Sequence, residues 1–587
     1  MIYKKILAAL AIGMCFSFSS FASDGSGENA VLQTPFFAAV KEGNKWGAVD
    51  GSGHVVIPVS YNRIGISLVE TADRSDDLTS DPERLQLIEV EEGKERGFYN
   101  REGKVIVPVS YTSRSLWQEG ALAVRNKEKK ILFYRNDGTM VSETAYDEAS
   151  DFQNHMAIIE KKGKYGYLSS DGKVIAPVYE DARLFDEEGM APVKEKGRWG
   201  VIDREGRQVI APQYKATGPS YGEGLLAVKD NKNKWGFIDR KGNEVVPFVY
   251  RNVSPRFIDG YGAVENDEKL WGFVDTKGNV TAAPQFKKVL TPFSEGLAGV
   301  STVDGYGYVR PDGTLAFLAD FDKLYPFEDG IAEVRKGVIV DNWATARPPF
   351  SIGISWGIWH HHHHDPWGWG IGFPVWNSWD YESVPTIQVK RGYIDRNGKT
   401  IASTSNDRVF PADKDGILIR NDGRYGWVNR KGEFIAHITY RGLIPIREDH
   451  VLLAQNKDKK WGILSAEDGS TLVPFTFDAL SCIHKGIYGY KKEGQWGLLS
   501  REGRIITEPL YREVGEGTSG FIPVRTSSGW KYVDDEGKDR ITFSEEVSEA
   551  TPFRNGRAGV RIGGKWGIID TTGHFILPPR YDDIQIM

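Results

Sequence analysis

Cysteine is nearly absent: Cys15 and Cys482 are the two in 587 residues. Cys15 lies in a segment that reads as a cleaved leader, so a single thiol would remain. No internal disulfide can then form, and stability has to come from packing. Cys482, in ALSCIHKG, has the apolar context of a buried, inert thiol and not of a nucleophile. An excess of one charge is also lacking. The 74 Lys and Arg against 80 Asp and Glu leave a net −6, which gives no broad basic face and argues against nucleic acid as a partner.

Long apolar runs are missing too. The longest, Ile6 to Phe18, follows Lys4 and Lys5 and precedes the small residues Ser20, Ala22 and Ser23. It falls short of the roughly 20 residues that a membrane span needs. A charged start, a short greasy centre and an S-x-A site describe a secretory signal peptide, cut after Ala22. Residues 1–22 are therefore expected to be removed. The mature chain would then have no transmembrane span and would lie in the periplasm, on the cell surface or in the medium, with peripheral contact to the envelope possible.

Signatures of catalysis are equally thin. There is no Walker A loop and no H-E-x-x-H. GPSYG (Gly218 to Gly222) and GISWG (Gly353 to Gly357) fit G-x-S-x-G. The first occupies a link and the second a Gly/Trp-rich loop, whereas a nucleophile elbow needs strand, sharp turn and helix. No cofactor is implied, and a non-enzymatic role is favoured over an enzymatic one.

What the chain has in quantity is glycine, 66 residues, and tryptophan, 17 residues, and these fall into a pattern. The phrase KWGIID (Lys565 to Asp570) recurs as KWGAVD at Lys45, KWGFID at Lys234, LWGFVD at Leu270 and QWGLLS at Gln495. With the glycine as marker, copies fall at Gly47, 97, 166, 200, 236, 272, 307, 392, 426, 462, 497 and 567. Weaker copies around Leu132 and Lys531 bring the total to fourteen. The usual interval is about 35 residues, as from 200 to 236 and from 272 to 307.

Each copy contains an alternating segment such as GLAGV, then K-W-G-x-I-D, a turn D-x-x-G, and a β-branched run that ends in Pro and an aromatic. A looser link follows, with Phe and an acidic-Gly pair. Period-two alternation predicts strands. The Asp and Gly of D-x-x-G predict a type I turn with a bulge, so the last two runs form a hairpin. The Pro after it (Pro58, Pro108, Pro177, Pro212, Pro247, Pro578) cannot donate to a ladder. It should end the strand or face no neighbour. One such unit is too small to bury a core, so stacked copies must bury each other, with an aromatic at each seam. Trp46, Trp199, Trp235, Trp271, Trp461, Trp496, Trp530 and Trp566 hold that place, and Tyr165, Tyr306 and Tyr425 substitute. Burial of one such ring is worth about 2–3 kcal/mol. The Gly after it would let another backbone approach.

RWGVIDREGRQVIAPQY (Arg198 to Tyr214) and KWGIIDTTGHFILPPRYDD (Lys565 to Asp583) resemble the WG-containing repeat family of bacterial exported proteins. The resemblance runs over roughly residues 34–584 outside two insertions. It implies a β-rich repeat architecture and carries over no catalytic residue. The expected fold is all-β, a tandem array of about fourteen three-stranded units. An open solenoid or superhelix suits a unit of about 35 residues better than tandem β-propellers, whose blades usually hold four strands over about 40 or more. The organisation reads as repeats over 34–342, a Trp/Gly/His-rich insertion over 343–388, and repeats over 389–587.

The short insertion, about 63–91, is acidic at its centre and lacks EF-hand spacing. The long one carries Trp343, Trp356, Trp359, Trp367, Trp369, Trp376 and Trp379, none in the repeat register. Trp356, Trp359, Trp367, Trp369, Trp376 and Trp379 are therefore the candidate partner-binding residues. His360, His361, His362, His363 and His364 form an adaptable metal-binding tract or a solvated tip. The expected function is an exported scaffold that offers a surface to a protein, a cell-envelope glycan or another envelope component. The rivals are a polymer-acting enzyme with paired carboxylates in a groove and metal handling through the His tract.

Overall fold

The computed structural model describes residues 37–68, 86–114, 119–340, 386–518 and 520–586. Among these, every regular element is a strand except one 3-10 turn at Arg447–Asp449.

The unit has four antiparallel strands, one more than the alternation suggested. In the fifth unit they are Asp181–Ala182, Met190–Glu195, Arg198–Asp203 and Gln208–Tyr214, paired in that order. The extra strand is the two-residue piece. It comes from the link and continues almost directly from the last strand of the unit before. In one place the two are a single strand. Val105–Arg114 pairs with Glu95–Tyr99 on one side and Ala121–Asn126 on the other, which fuses units two and three into a seven-stranded sheet. Each unit thus lends its tail to its successor.

Local chemistry explains each feature of the unit. In the turn after the third strand, Asp203 Oδ1 accepts the N–H groups of Glu205 at 3.0 Å and Arg207 at 2.8 Å, and Gly206 takes φ +78°. The fourth strand then bulges: Trp46 faces Tyr61 and Ala48 faces Ile57, so two residue steps on one strand oppose four on the other. Gly47 lies against this bulge, where a Cβ would come within 2.6 Å of the Ile57 carbonyl oxygen. Gly166, Gly200 and Gly272 meet the same obstacle at 2.4–2.5 Å. A side chain at this glycine would force the two strands apart. Pro58, Pro177, Pro212 and Pro578 sit within the bulged strand, on the sheet edge, where no ladder hydrogen bond is lost and further strands are discouraged from adding.

The acid after the strand-ending aromatic locks one unit to the next. Glu180 Oε2 accepts the Gly197 N–H at 2.9 Å, and the Glu180 N–H donates to the Lys194 carbonyl at 2.8 Å. The same pair of bonds joins the chain's two ends. Asp582 Oδ2 accepts the Gly43 N–H at 2.7 Å, and the Asp582 N–H donates to Lys41 O at 2.9 Å. Asp583–Ile586 then supplies the missing first strand of unit one by pairing with Phe37–Glu42.

Packing agrees with this closure. Among the described residues fourteen apolar clusters are present, and each straddles one junction between neighbouring units. An open stack of fourteen would have one junction fewer. The additional cluster joins Ile568, Leu577 and Tyr581 of the last unit to Ala38, Val40 and Val49 of the first. Units seven and eight pack like any other pair, through Phe273, Phe286, Phe293 and Val300, so the circuit is not split into halves. The array inferred from the sequence is present, and its ends are joined.

Candidate functional site

The position before the repeat glycine is a seat at the seam. Its residue stands opposite the aromatic that ends the fourth strand: Trp199 opposite Tyr214, Trp271 opposite Phe286, Trp566 opposite Tyr581. Trp199 and Trp271 are buried, whereas Trp46, Trp235, Trp461, Trp496, Trp530 and Trp566 are partly buried. Each belongs to or packs against the cluster shared with the following unit. A cation often lies over the ring, such as Arg183 over Trp199 at 4.6 Å and Lys41 over Trp46 at 5.6 Å, a geometry that adds attraction to the stack.

Three units break the aromatic rule. Ile131 holds the seat in unit three, and an arginine holds it in two others, Arg96 in unit two and Arg391 in unit nine. In the same two units the second strand carries a glutamate, Glu89 facing Phe98 and Glu333 facing Tyr393. Every other unit has an uncharged residue at that register, as with Ala39, Pro192, Ala263, Gly299, Leu453 and Gly559. The aromatic and its uncharged neighbour have thus been exchanged together for an Arg and a Glu. These are also the two units that carry the insertions, and they lie seven units apart in the circuit of fourteen.

In unit two the charges balance. Arg114 grips Glu89 with two nearly parallel bonds of 3.0 and 2.8 Å, Tyr111 donates to the same carboxylate at 3.1 Å, and Arg96 adds Glu91 at 3.3 Å. Burial pushes the Glu89 carboxyl up. The hydrogen bond and charge of Arg114, helped by Tyr111 and Arg96, outweigh it and hold the carboxyl below its ordinary value. Burial raises the Tyr111 hydroxyl well above its ordinary value, and the Glu89 charge adds to this.

Unit nine does not balance. Glu333 is shared between Arg335 at 2.7 Å and Arg391 at 3.1 Å, with the Tyr393 hydroxyl at 3.4 Å. Burial lowers the Arg335 guanidinium, but Glu333 overcomes this and raises it. Arg335 stands directly opposite Arg391, and Lys336 directly opposite Lys390, so like charges face each other across the ladder, an unfavourable arrangement. Lys336 reaches Asp320 at 2.5 Å. Among the described residues no carboxylate lies within ion-pair distance of Lys390 or of Arg408, which stacks on Phe410 at 4.6 Å. Arg335, Val389, Lys390, Arg391, Asn406, Asp407, Arg408 and Val409 enclose a cleft of about 410 Å³ between units nine and ten.

The strands that form one wall of this cleft also root the long insertion. Ile331–Val340 and Thr386–Asp395 pair over ten residues, against six in the corresponding hairpin of unit five. Trp343, Trp356, Trp359, Trp367, Trp369, Trp376 and Trp379 lie outside the described residues, as do His360 to His364, Ile6 to Phe18 and GISWG. GPSYG spans a link between the strands Ala216–Thr217 and Leu226–Lys229, and no helix follows it. Cys482 is partly buried, more open than its apolar context suggested, with Sγ 3.8 Å from the His484 carbonyl oxygen. Among the described residues no three His, Cys, Asp or Glu side chains are grouped to hold a metal, and no helix is long and apolar enough to cross a membrane.

The WG-containing repeat model matches residues 133–343 in contiguous copies, then 461–530 and 546–586. The chain belongs to the WG-containing repeat family. Arg96 and Arg391 lie outside the matched segments, as do Trp46 and Tyr425. No curated protein matches this WG-repeat chain. Among solved structures it is similar to BamB from Moraxella catarrhalis at 13% identity, covering 46% of this chain and 90% of that one, with a TM-score of 0.21. It is also similar to the extracellular domain of a one component system from B. thetaiotaomicron, at 10% identity, 93% and 83% coverage and a TM-score of 0.21. At those scores neither likeness bears on architecture or activity.

Proposed function

We propose that this WG-repeat protein is an exported, non-enzymatic scaffold that presents a binding surface to a protein or glycan of the cell envelope, with unit nine as the presenting element. The observation that carries the reading is the ten-pair hairpin, Ile331–Val340 with Thr386–Asp395. Among the described residues no other unit lengthens this hairpin, whose added pairs run from Gly337 opposite Val389 to Val340 opposite Thr386. Beyond its last pair the sequence places the tryptophan-rich segment. Export rests on the leader-like residues 1–22, and an enzymatic reading finds no support in the cleft, where cations outnumber carboxylates.

The test is to replace Trp343 to Pro385 by a short turn that joins Val340 to Thr386. The expected outcome is an array with unchanged circular dichroism that no longer captures envelope partners in crosslinking and pull-down. A folded deletion variant that retains every partner would remove unit nine from the reading. Fractionation that leaves the full-length chain in the cytoplasm would remove export.

A further inference from the structure

The charge left over in unit nine has a chemical meaning. Arginine in the seat is tolerated in unit two because Arg96 and its neighbour Arg114 both find acids, Glu91 and Glu89. In unit nine Glu333 already serves two guanidiniums, and Asp407 commits one oxygen to the backbone, its Oδ2 accepting the Asp422 N–H at 2.8 Å. Four cations line the cleft, Arg335, Lys390, Arg391 and Arg408, with Asp407 the one carboxylate in the lining. Arg391 Nε is buried and lies 3.1 Å from Glu333 Oε2, but off the line of its N–H bond, so it makes an ion pair without a hydrogen bond. Holding such groups together without an anion is costly, because like charges repel and a buried donor is left unsatisfied. A bound anion would relieve both.

We infer that the cleft between units nine and ten binds a phosphate group, with Arg391, Lys390 and Arg408 as its principal ligands and Arg335 completing the cage. The donors come from three strands, Ile331–Val340, Thr386–Asp395 and Arg408–Val409. A planar carboxylate is satisfied by one guanidinium fork, as Glu89 is by Arg114, whereas a tetrahedral oxyanion offers oxygens to donors that arrive from several sides. The cleft is wide enough for a phosphate carried on a larger molecule, and it opens at the foot of the hairpin that bears the insertion. The inference deepens the scaffold reading by naming the partner's chemistry, and depends on it only for the claim that this phosphate belongs to an envelope partner.

Calorimetry on the full-length mature chain at low ionic strength tests it, with inorganic phosphate as probe and acetate as control. Saturable phosphate binding is expected, with acetate at least tenfold weaker. Lys390→Gln and Arg408→Gln should each weaken phosphate about tenfold, and Arg391→Trp, which restores the family's own seat residue, should weaken it more. Arg96→Trp in unit two should leave phosphate binding unchanged. Absence of saturation, equal affinity for acetate, or the same loss in Arg96→Trp would overturn the site. Circular dichroism and denaturation of each variant separate lost binding from lost folding. Sedimentation with phosphatidylglycerol against phosphatidylcholine vesicles then distinguishes a lipid headgroup from a soluble phosphate. Phosphate binding that survives removal of Trp343 to Pro385, alongside unchanged partner capture, would sink the scaffold reading and leave the site standing. Partner capture without phosphate binding would do the reverse.

Discussion

Units two and nine have undergone the same exchange and ended in different states. Both replaced an aromatic with Arg and an uncharged residue with Glu at identical registers, and both admit an insertion. Unit two closed its electrostatics within itself, through the two-bond grip of Arg114 and the hydroxyl of Tyr111. Unit nine surrounded one glutamate with more cations than it can serve. The difference teaches that losing the ring does not by itself make a site. A seat becomes a site when the cations gathered around it outnumber the carboxylates that face them.

The comparison can be broken in several places. The largest effect is expected at an ordinary seat. Trp271→Ala removes a buried ring shared by units seven and eight, and should cost about 3–5 kcal/mol in chemical denaturation. If it cost less than 1, the aromatic seat would be no structural baseline. Next, Glu89→Gln should destabilise by about 2–3 kcal/mol, because it strips a part-buried guanidinium of its partner. Glu333→Gln should cost less, since Arg335 holds that carboxylate through a single hydrogen bond and Arg391 through none. Equal costs would erase the contrast between the two units.

A subtler check uses pH. The Glu89 carboxyl titrates below its unfolded-chain value of about 4.3. Its stabilisation is therefore complete above that pH and is lost as pH falls through the folded-state value. The stability gap between wild type and Glu89→Gln should be full at neutrality and close in acid, and a gap that persisted there would deny the ion pair its role. The smallest effect is expected for Arg96→Trp. It returns a ring to the seat while Glu89 keeps Arg114, so the change should stay within about 1 kcal/mol.

Much of the unit was legible in the sequence because its features are local. D-x-x-G specifies its own turn, since Asp203 bonds residues two and four further on and Gly206 supplies the positive φ. The glycine after the seat residue was legible as a place of close approach, although not that the approaching backbone would be a bulge. The first strand was not legible, because alternation cannot declare itself over two residues such as Asp181–Ala182. Closure left only a phase clue. The described residues start on a second strand, Phe37–Glu42, and finish on a first strand, Asp583–Ile586, so one holds what the other lacks. The cleft was missed for another reason. ERGFY and KRGYI count as ordinary copies of the motif through Gly97 and Gly392, whereas the paired appearance of Arg before the glycine and Glu on the preceding strand is the signal.

The seam between Asp582 and Gly43 has a genetic consequence. A linear stack can shed or acquire a module and merely become shorter or longer. Here an added or deleted copy would change the angle demanded of all its companions, or prise the last strand from the first. Recombination among such similar stretches of the gene should therefore be penalised at the level of the whole molecule, and the number of modules should be held fixed by the need for the two ends to meet.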